Sequence, residues 1–273
     1  MRLFDTHAHL DTDRFGDDDA RRSAVRRAAS AGIAASLIPG IEPDTWPNLL
    51  RVAAMLGAET PEVRFHTALG VHPQALPDLP EGGDHALAER LDAALAAAPP
   101  GLVAIGECGL DFGPRGQGAS RERQIRVFDA HLGLARRRGL PLLIHCVDAH
   151  GVMEERLTRA PLPPSILHSF SGSPEVAAAL CRAGHYISLA GALTHPRARR
   201  PHLAARAIPG DRLLLETDSP DQTPAGRRPA RNEPAFLVEI ATAVAALRGL
   251  PLADLAAQTT ANACRALGLA PPP

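Results

Sequence analysis

Eight short apolar runs alternate with eight longer segments of helical periodicity along this chain of 273 residues. Such alternation is typical of repeated strand and helix units that build a parallel sheet covered by helices. The predicted strands are Arg2–Asp5, Ala34–Pro39, Arg64–Leu69, Leu102–Gly106, Leu140–His145, Ser165–His168, His185–Leu189 and Arg212–Glu216. Eight such units in a chain of this length predict a (β/α)₈ TIM barrel, and the alternative is an open doubly wound sheet.

Several of the segments between these strands carry helix start and stop signals. Ser173 precedes Pro174 as an N-cap before a first-turn proline, and Gly139 and Gly184 end their segments. The predicted helices are Asp17–Ala31, Asp44–Gly57, Asp84–Ala98, Ser120–Gly139, Gly151–Arg159, Pro174–Gly184, Pro196–Ala207 and Glu233–Arg248, with a last one over Leu252–Gly268. No linker interrupts the pattern, so residues 1–270 are predicted to form one barrel domain and 271–273 a disordered tail.

The composition excludes several classes of protein. No stretch reaches the roughly 18 apolar residues that a membrane span needs, and the N-terminus lacks a basic segment followed by an apolar one, so we expect a cytoplasmic protein without membrane contacts. A formal charge of -1 provides no overall attraction to nucleic acid, so contact with a polyanion would be local. Cys108, Cys146, Cys181 and Cys264 form no C-x-x-C pair and are predicted to be buried free thiols.

Acidic residues and histidines mark the ends of five predicted strands. The carboxyl ends of barrel strands meet at one face, where active sites form. Alternate residues of a strand point to the same side, so His7 and His9 can face one mouth together. The candidate metal ligands are His7, His9, Glu107, His145, His168 and Asp218. Six nitrogen and oxygen ligands exceed what one tetrahedral site requires, which predicts two divalent cations among Zn²⁺, Mn²⁺, Fe²⁺ and Mg²⁺ bridged by a carboxylate.

Other polar residues leave alternatives open. His72 follows the third predicted strand on the same face, where it would either touch substrate or serve an ordinary structural role. The segment Gly226–Asn232 contains three arginines that could clamp a phosphate bidentately. All 29 basic residues of the chain are arginine, so a solvated loop is an equally open interpretation of that segment. The absence of lysine excludes every lysine-dependent mechanism.

Nine motifs occur in a recognisable order across nearly the whole chain. They are DTHAHLD, LGVHP, IGECGLDF, Gln124 with Phe128, LPLLIHC, HSFSGS, LLLETDSP, RNEP and Asn262. In this order they resemble the TatD-type metal-dependent deoxyribonucleases, and the segments GALTHPR and DSPD are similar to the YjjV-like branch of that family. The resemblance implies the (β/α)₈ barrel of the amidohydrolase group.

The resemblance also implies roles for the site residues. His7, His9, Glu107 and Asp218 would hold one metal, and Glu107, His145 and His168 would hold the second, with Glu107 bridging. The expected activity is hydrolysis of phosphodiester bonds, with single-stranded DNA as the expected nucleic acid substrate and no stable protein partner. Asp218 and Glu107 would be catalytic, because the metals activate a water and Asp218 is placed to accept its proton. His72 and Arg231 are expected to hold the scissile phosphate.

Two departures from the family pattern affect specificity. Gln74 stands where the family usually has a second histidine, and Cys146 and Val147 stand where it often has serine and arginine. An amidohydrolase or esterase acting on a C–N or acyl bond, including an aminoacyl-tRNA ester, is the first alternative. Many binuclear amidohydrolases bridge their metals with a carboxylated lysine. In this chain Glu107 occupies the position of that lysine. A metal-binding or phosphate-binding module without turnover is the second alternative.

Overall fold

The computed structural model describes residues 1–272, and these contain a sheet of eight parallel strands in the order of the chain. The strands are β1 (Leu3–Asp5), β2 (Ile33–Pro39), β3 (Arg64–Leu69), β4 (Leu102–Asp111), β5 (Leu142–Val147), β6 (Ile166–Leu167), β7 (Tyr186–Leu189) and β8 (Leu213–Leu215). Most strand residues are buried, as expected for a parallel sheet that helices cover. The predicted (β/α)₈ barrel is confirmed.

The first and last strands meet and bring the two ends of the sheet together. Backbone N–H groups of Thr6 and Asp218 donate to the carbonyls of Leu215 and His7, over 3.2 Å and 2.9 Å. The N–H of His9 donates to the carbonyl of Ser219 over 2.7 Å. The join continues past the strands into the loops that carry candidate ligands, so the barrel closes at the site itself.

Helices follow the strands and cover the outside of the sheet. They are α1 (Asp18–Ala31), α2 (Trp46–Glu59), α3 (Asp84–Ala96), α4 (Arg121–Arg138), α5 (His150–Thr158), α6 (Pro174–Arg182), α7 (Arg199–Ala207), α8 (Leu237–Arg248) and α9 (Leu252–Leu267). The side chain of Ser173 caps α6 by accepting from the N–H of Val176, and Gly139 ends α4 in the left-handed conformation at φ 66°. These two capping signals act as the sequence predicts.

The interior of the barrel is filled by one apolar cluster to which every strand contributes. Its members include Phe4, Ala35, Leu37, Ala68, Ala104, Leu143, Ile166, Tyr186 and Leu214, together with Ala263, Cys264, Ala266 and Leu267 of α9. Asn262 of α9 donates to the carbonyls of Gly210 and Leu213 and so holds α9 against the start of β8. A larger cluster packs the helices against the outer face of the sheet. The core leaves the opposite end, at the carboxyl ends of the strands, free for polar residues.

Several element boundaries differ from the prediction by a few residues, and two of these differences bear on the site. β4 continues to Asp111 instead of ending at Gly106, because Gly106 and Gly109 adopt positive φ angles that let the chain stay paired with β5 across a register shift. Helix α7 begins at Arg199 because Gly191–Thr194 forms a short 3₁₀ turn before it. Both differences lie at the end of the barrel that holds the candidate ligands.

Five further expectations concern membrane spans, the thiols, the chain end, the domain limit and the location. No single helix of residues 1–272 has the length and apolarity to cross a membrane, and only the bent pair Pro234–Arg248 and Leu252–Leu267, at 108°, meets that test jointly. The four cysteines are buried and free, as predicted. Residues 271 and 272 have no regular secondary structure, and the rest of the predicted disordered tail, residue 273, lies outside the described residues. The domain limit at residue 270 and the cytoplasmic location stay predictions.

Candidate metal centre

The carboxylate of Glu107 lies at the centre of the predicted ligands. Its Oε2 is 3.1 Å from Nε2 of His7 and 3.4 Å from Nε2 of His9. Its Oε1 is 2.8 Å from Nε2 of His168 and 3.1 Å from Nδ1 of His145. The two oxygens of one carboxylate therefore face two separate pairs of imidazoles.

Asp218 joins the side of the centre that contains His7 and His9. Its Oδ1 lies 3.6 Å from Nε2 of His7 and 3.7 Å from Nε2 of His9. Gln222 donates from Nε2 to Oδ2 of the same carboxylate over 2.6 Å and also bonds the hydroxyl of Ser169. All six predicted ligands are thus brought together, and Gln222 is a neighbour that the sequence did not reveal.

Close backbone packing places Glu107. Gly106, at φ +153°, has no room for a side chain, because a Cβ there would lie 2.6 Å from the carbonyl oxygen of Leu143. A Cβ on Gly70 would lie 2.5 Å from the Cα of Gly106. The N–H of Glu107 donates to the carbonyl of Gly40 over 2.7 Å. Residues directly after β2 and β3, together with Leu143 of β5, therefore fix the position of Glu107.

Asp111 orients His145 and was not predicted. Nε2 of His145 lies 3.3 Å from Oδ2 of Asp111, which assigns the ring proton to Nε2 and leaves the Nδ1 lone pair directed at Glu107. Burial opposes ionisation of Asp111, but bonds from His145 and Gln74 lower its pKa to about 2. Gln74 donates to the same carboxylate oxygen over 2.6 Å. Gln74, which departs from the family pattern, therefore stabilises the carboxylate that orients His145.

Glu216 plays the corresponding part for His168. Its Oε1 lies 3.5 Å from Nδ1 of His168 and accepts the N–H of Ser169 over 2.5 Å. A carboxylate on that side favours the tautomer whose Nε2 lone pair points at Glu107. The ring of His168 also stacks on His7 with centroids 4.0 Å apart. Glu216 shares strand parity with Asp218, which was the available sequence signal for this role.

His72 lies at the centre as a hydrogen-bond donor. Its Nδ1 accepts the N–H of Gln74 over 3.1 Å, so the neutral ring carries its proton on Nε2, which is 3.1 Å from Oε1 of Glu107. The adjacent N–H of Val71 donates to Nε2 of His131 over 3.1 Å. His131 is therefore a structural support behind His72 and does not reach the cavity.

A buried network ties the ligand-bearing ends of β1 and β8 together. Oδ1 of Asp5 accepts the N–H groups of His7 and Thr217, and its Oδ2 accepts the Thr217 hydroxyl over 2.6 Å. Burial raises the pKa of Asp5 to about 7. Since His7 and Asp218 flank these bonds, Asp5 fixes their spacing.

Several nitrogen and oxygen atoms of this centre are arranged as cation ligands and not as hydrogen-bond partners of one another. Nε2 of His7 and Nε2 of His9 are 3.1 Å apart, as are Nδ1 of His145 and Nε2 of His168. Buried Oε2 of Glu107 has no hydrogen bond of acceptable direction among the described residues. Burial alone would raise the pKa of Glu107, but the nearby imidazoles lower it well below its usual range, so the carboxylate is ionised. Converging imidazole lone pairs around a carboxylate are the donor set of a divalent cation site.

A cavity of about 830 Å³ opens above the centre. Residues that line it include His9, Glu42, His72, Asp78, Glu107, Arg115, His145, His168, Asp218 and Arg228. Arg231 does not line it, because its guanidinium donates to the carbonyls of Arg14 and Phe15. His150 borders a separate cavity of about 440 Å³, and His195 borders neither.

Comparisons with known proteins agree with these features. The family model described as TatD related DNase matches residues 4–268. The uncharacterized metal-dependent hydrolase YjjV of Escherichia coli is 34% identical over 262 residues, covering 96% of this chain and 95% of YjjV. The 3'-5' ssDNA/RNA exonuclease TatD of Erwinia tasmaniensis is 36% identical over 279 residues, covering 98% of this chain and 100% of that enzyme. The crystal structure of E. coli YjjV superposes with a TM-score of 0.87 at 31% identity, covering 98% and 99% of the two chains.

Proposed function

This chain belongs to the family of TatD-related DNases, which makes it a metal-dependent hydrolase, and on that premise we propose that it is a nuclease acting on single-stranded nucleic acid. The observation that best supports the proposal is the division of the Glu107 carboxylate between two pairs of histidines. A relative named as a 3'-5' exonuclease of single-stranded DNA and RNA supports the same substrate and polarity here.

Two divalent cations are proposed as cofactors. His7, His9, Asp218 and Oε2 of Glu107 would hold one, and His145, His168 and Oε1 of Glu107 would hold the other. Such cations lower the pKa of bound water toward neutrality and stabilise negative charge on a phosphate. The donor set of nitrogen and carboxylate oxygen suits Zn²⁺, Mn²⁺ and Fe²⁺, and Mg²⁺ is the fourth predicted metal.

Asp218 is proposed to accept the proton of the attacking water. Its Oδ1 faces His7 and His9, while Gln222 occupies Oδ2 and so holds the carboxylate in one orientation. Glu107 is proposed as the second catalytic residue, because its ionised carboxylate would position both cations. A proton acceptor fixed in this way contributes about 10²- to 10⁴-fold to a hydrolytic rate.

His72 is proposed to bind the scissile phosphate. The hydrogen bond from Gln74 leaves the Nε2 proton of His72 free to point into the cavity, where a phosphate oxygen would compete with Glu107 for it. Arg231 would have to release the carbonyls of Arg14 and Phe15 to reach the same phosphate. Its contact with substrate stays a prediction.

The test is hydrolysis of single strands carrying a label at the 3′ or the 5′ end. The protein loaded with Mg²⁺, Mn²⁺ or Zn²⁺ should degrade DNA or RNA strands and release the 3′ label first. Asp218→Asn should lower kcat/KM by about 10²-fold or more. Asp254→Asn, on the exposed first turn of α9, removes the same charge far from the cavity and should have no effect. A metal-loaded protein that hydrolyses acyl esters and no phosphodiester would contradict the proposal and favour the esterase alternative.

A further inference from the structure

We propose that Arg115 and Arg228 bind backbone phosphates of the substrate, so that a single strand crosses the barrel mouth between the loops that follow β8 and β4. This binding site for the substrate backbone presupposes the nuclease function proposed above. It lies on loops outside the ligand set, and only its Arg228 belongs to the arginine segment that the sequence analysis noted. The class of ligand is a single-stranded polyanion with regularly spaced phosphodiesters.

Only one arginine of the segment after β8 is available to a ligand. Arg227 pairs with Glu239, and its guanidinium carbon lies 4.7 Å above the ring of Phe236. Arg231 is held by two carbonyls and lies over the ring of Phe15 at 4.6 Å. Arg228 is exposed, lines the cavity, and has no hydrogen bond or ion pair from its side chain within residues 1–272. The contacts of Arg227 and Arg231 hold the segment in place, and the charge of Arg228 faces the cavity.

Arg115 lies at the tip of a rigid turn on the other side. The turn Pro114–Gly116 follows β4, and a Cβ on Gly116 would lie 1.9 Å from the carbonyl oxygen of Asp111, so the two segments are in direct contact. Gln124 donates to the carbonyl of Gly116 over 2.9 Å and fixes the turn from below. The exposed guanidinium of Arg115 lines the cavity without an ion pair to any described residue.

The two arginines lie on loops that follow different strands and line the same cavity. Arg115 follows β4 and Arg228 follows β8, which are four strands apart in an eight-stranded barrel. Glu107 of β4 and Asp218 after β8 are themselves candidate ligands, so the same two parts of the barrel carry ligands and arginines. Arg14, the third arginine at the cavity, is already paired bidentately with Asp221 at 2.6 Å and 2.7 Å. Among the arginines that line the cavity, only Arg115 and Arg228 therefore have no ion pair to a described residue.

Negative charge on the β2 and β3 side favours the same path. Glu42 follows β2 and Asp78 follows β3, and both line the cavity without an ion pair in the described part of the chain. A phosphate backbone running along that wall would meet two uncompensated carboxylates. A strand that passes from Arg228 to Arg115 avoids them and crosses above the metal centre.

The test compares Arg115→Gln, Arg228→Gln and the double variant with Arg137→Gln. Arg137 is exposed near the end of α4, far from the cavity, and its loss changes the net charge equally. Binding of a fluorescent single-stranded phosphorothioate dodecanucleotide to the metal-loaded proteins is measured by anisotropy between about 50 and 200 mM NaCl. Each single variant should flatten the slope of log Kd against log salt by about 0.7, and the double variant by about 1.4.

Turnover separates this inference from the proposed function. Hydrolysis of bis(p-nitrophenyl) phosphate, which has one phosphodiester and no flanking phosphate, should be equal in wild type and Arg137→Gln. Slopes equal to that of Arg137→Gln, or a flatter slope in only one of the two variants, would overturn the two-sided contact. Absence of turnover in the wild type would contradict the proposed function, while the salt slopes would still decide the binding site.

Discussion

Gln222 donates a hydrogen bond from Nε2 to Oδ2 of Asp218 over 2.6 Å and leaves Oδ1 of that carboxylate facing the histidines of the first strand. Both residues have positive φ angles, 56° for Asp218 and 53° for Gln222. Residues other than glycine adopt this conformation at a cost of about 1–3 kcal/mol, so the surrounding contacts must over-determine it. The pair decides which carboxylate oxygen is available to a cation or a water.

Replacing Gln222 with leucine should lower kcat by about 10- to 100-fold and leave KM nearly unchanged, because only the orientation of Asp218 is lost. Steady-state kinetics on a labelled single strand would measure both constants. Gln258→Leu makes the same chemical change on an exposed residue of α9 and should retain wild-type kinetics. A Gln222→Leu enzyme with wild-type kcat would contradict the orienting role.

Removing both His7 and His9 should empty the cation site on the Oε2 side of Glu107. Oε1 would keep His145 and His168, so the content of tightly bound metal should fall from about two to about one per chain. Elemental analysis after dialysis measures this directly. His85→Ala, an exposed substitution on α3, is the matched control. Two retained equivalents in the double variant would exclude these imidazoles as ligands.

A methyl group on Gly70 should disturb the position of Glu107. The new Cβ would lie 2.5 Å from the Cα of Gly106 and 2.7 Å from the carbonyl oxygen of Glu107, so the ends of β3 and β4 must separate. Overpacking of this kind costs about 1–3 kcal/mol of unfolding free energy. Urea denaturation of Gly70→Ala should show that loss together with reduced turnover. Gly82→Ala, where no atom lies within 4 Å of the new methyl, should behave like wild type.

The stability of the protein should depend on pH through His131. Its Nδ1 lies 2.7 Å from the carbonyl oxygen of Val127 and its Nε2 accepts from Val71, so the buried ring is neutral and burial lowers its pKa from 6.5 to about 4. Between these two values the unfolded chain binds a proton that the folded protein does not. This residue therefore costs stability progressively as pH falls from about 6.5 to about 4, and adds nothing further below that.

From pH 7 to pH 5 the wild type should lose about 2 kcal/mol more unfolding free energy than His131→Gln, which has no titrating group at that position. Urea denaturation at the two pH values gives the difference. Parallel losses in the two proteins would show that His131 titrates normally in the folded state.

The candidate ligands at the strand ends were predictable, because hydrophobic periodicity marks the strands and the ligands come soon after them in the chain. His7, His9 and His168 lie beyond a strand end and His145 lies near the end of β5, and the barrel brings them to one face. Asp111 was missed because the predicted strand ended at Gly106, whereas the chain uses the positive φ angles of Gly106 and Gly109 to stay in β4. Local propensity could not reveal a pairing that depends on the neighbouring strand β5.

The arginines show a different limit of sequence reasoning. Composition could not distinguish Arg228, which lines the cavity, from Arg231, whose guanidinium is held by carbonyls of residues 14 and 15. Those partners lie more than 200 positions earlier in the chain, and only the closed barrel brings them near. Gln222 was likewise invisible, because its contact with Asp218 depends on the left-handed loop after β8.

The join between the first and last strands has a consequence for synthesis of the protein. A ribosome-bound fragment that ends before residue 213 already contains five of the six candidate ligands, but its first strand has no partner on one side. The bonds between residues 7 and 218 and between residues 9 and 219 can form only when the last quarter of the chain has emerged. The set of candidate ligands is therefore completed only after translation has passed the eighth strand.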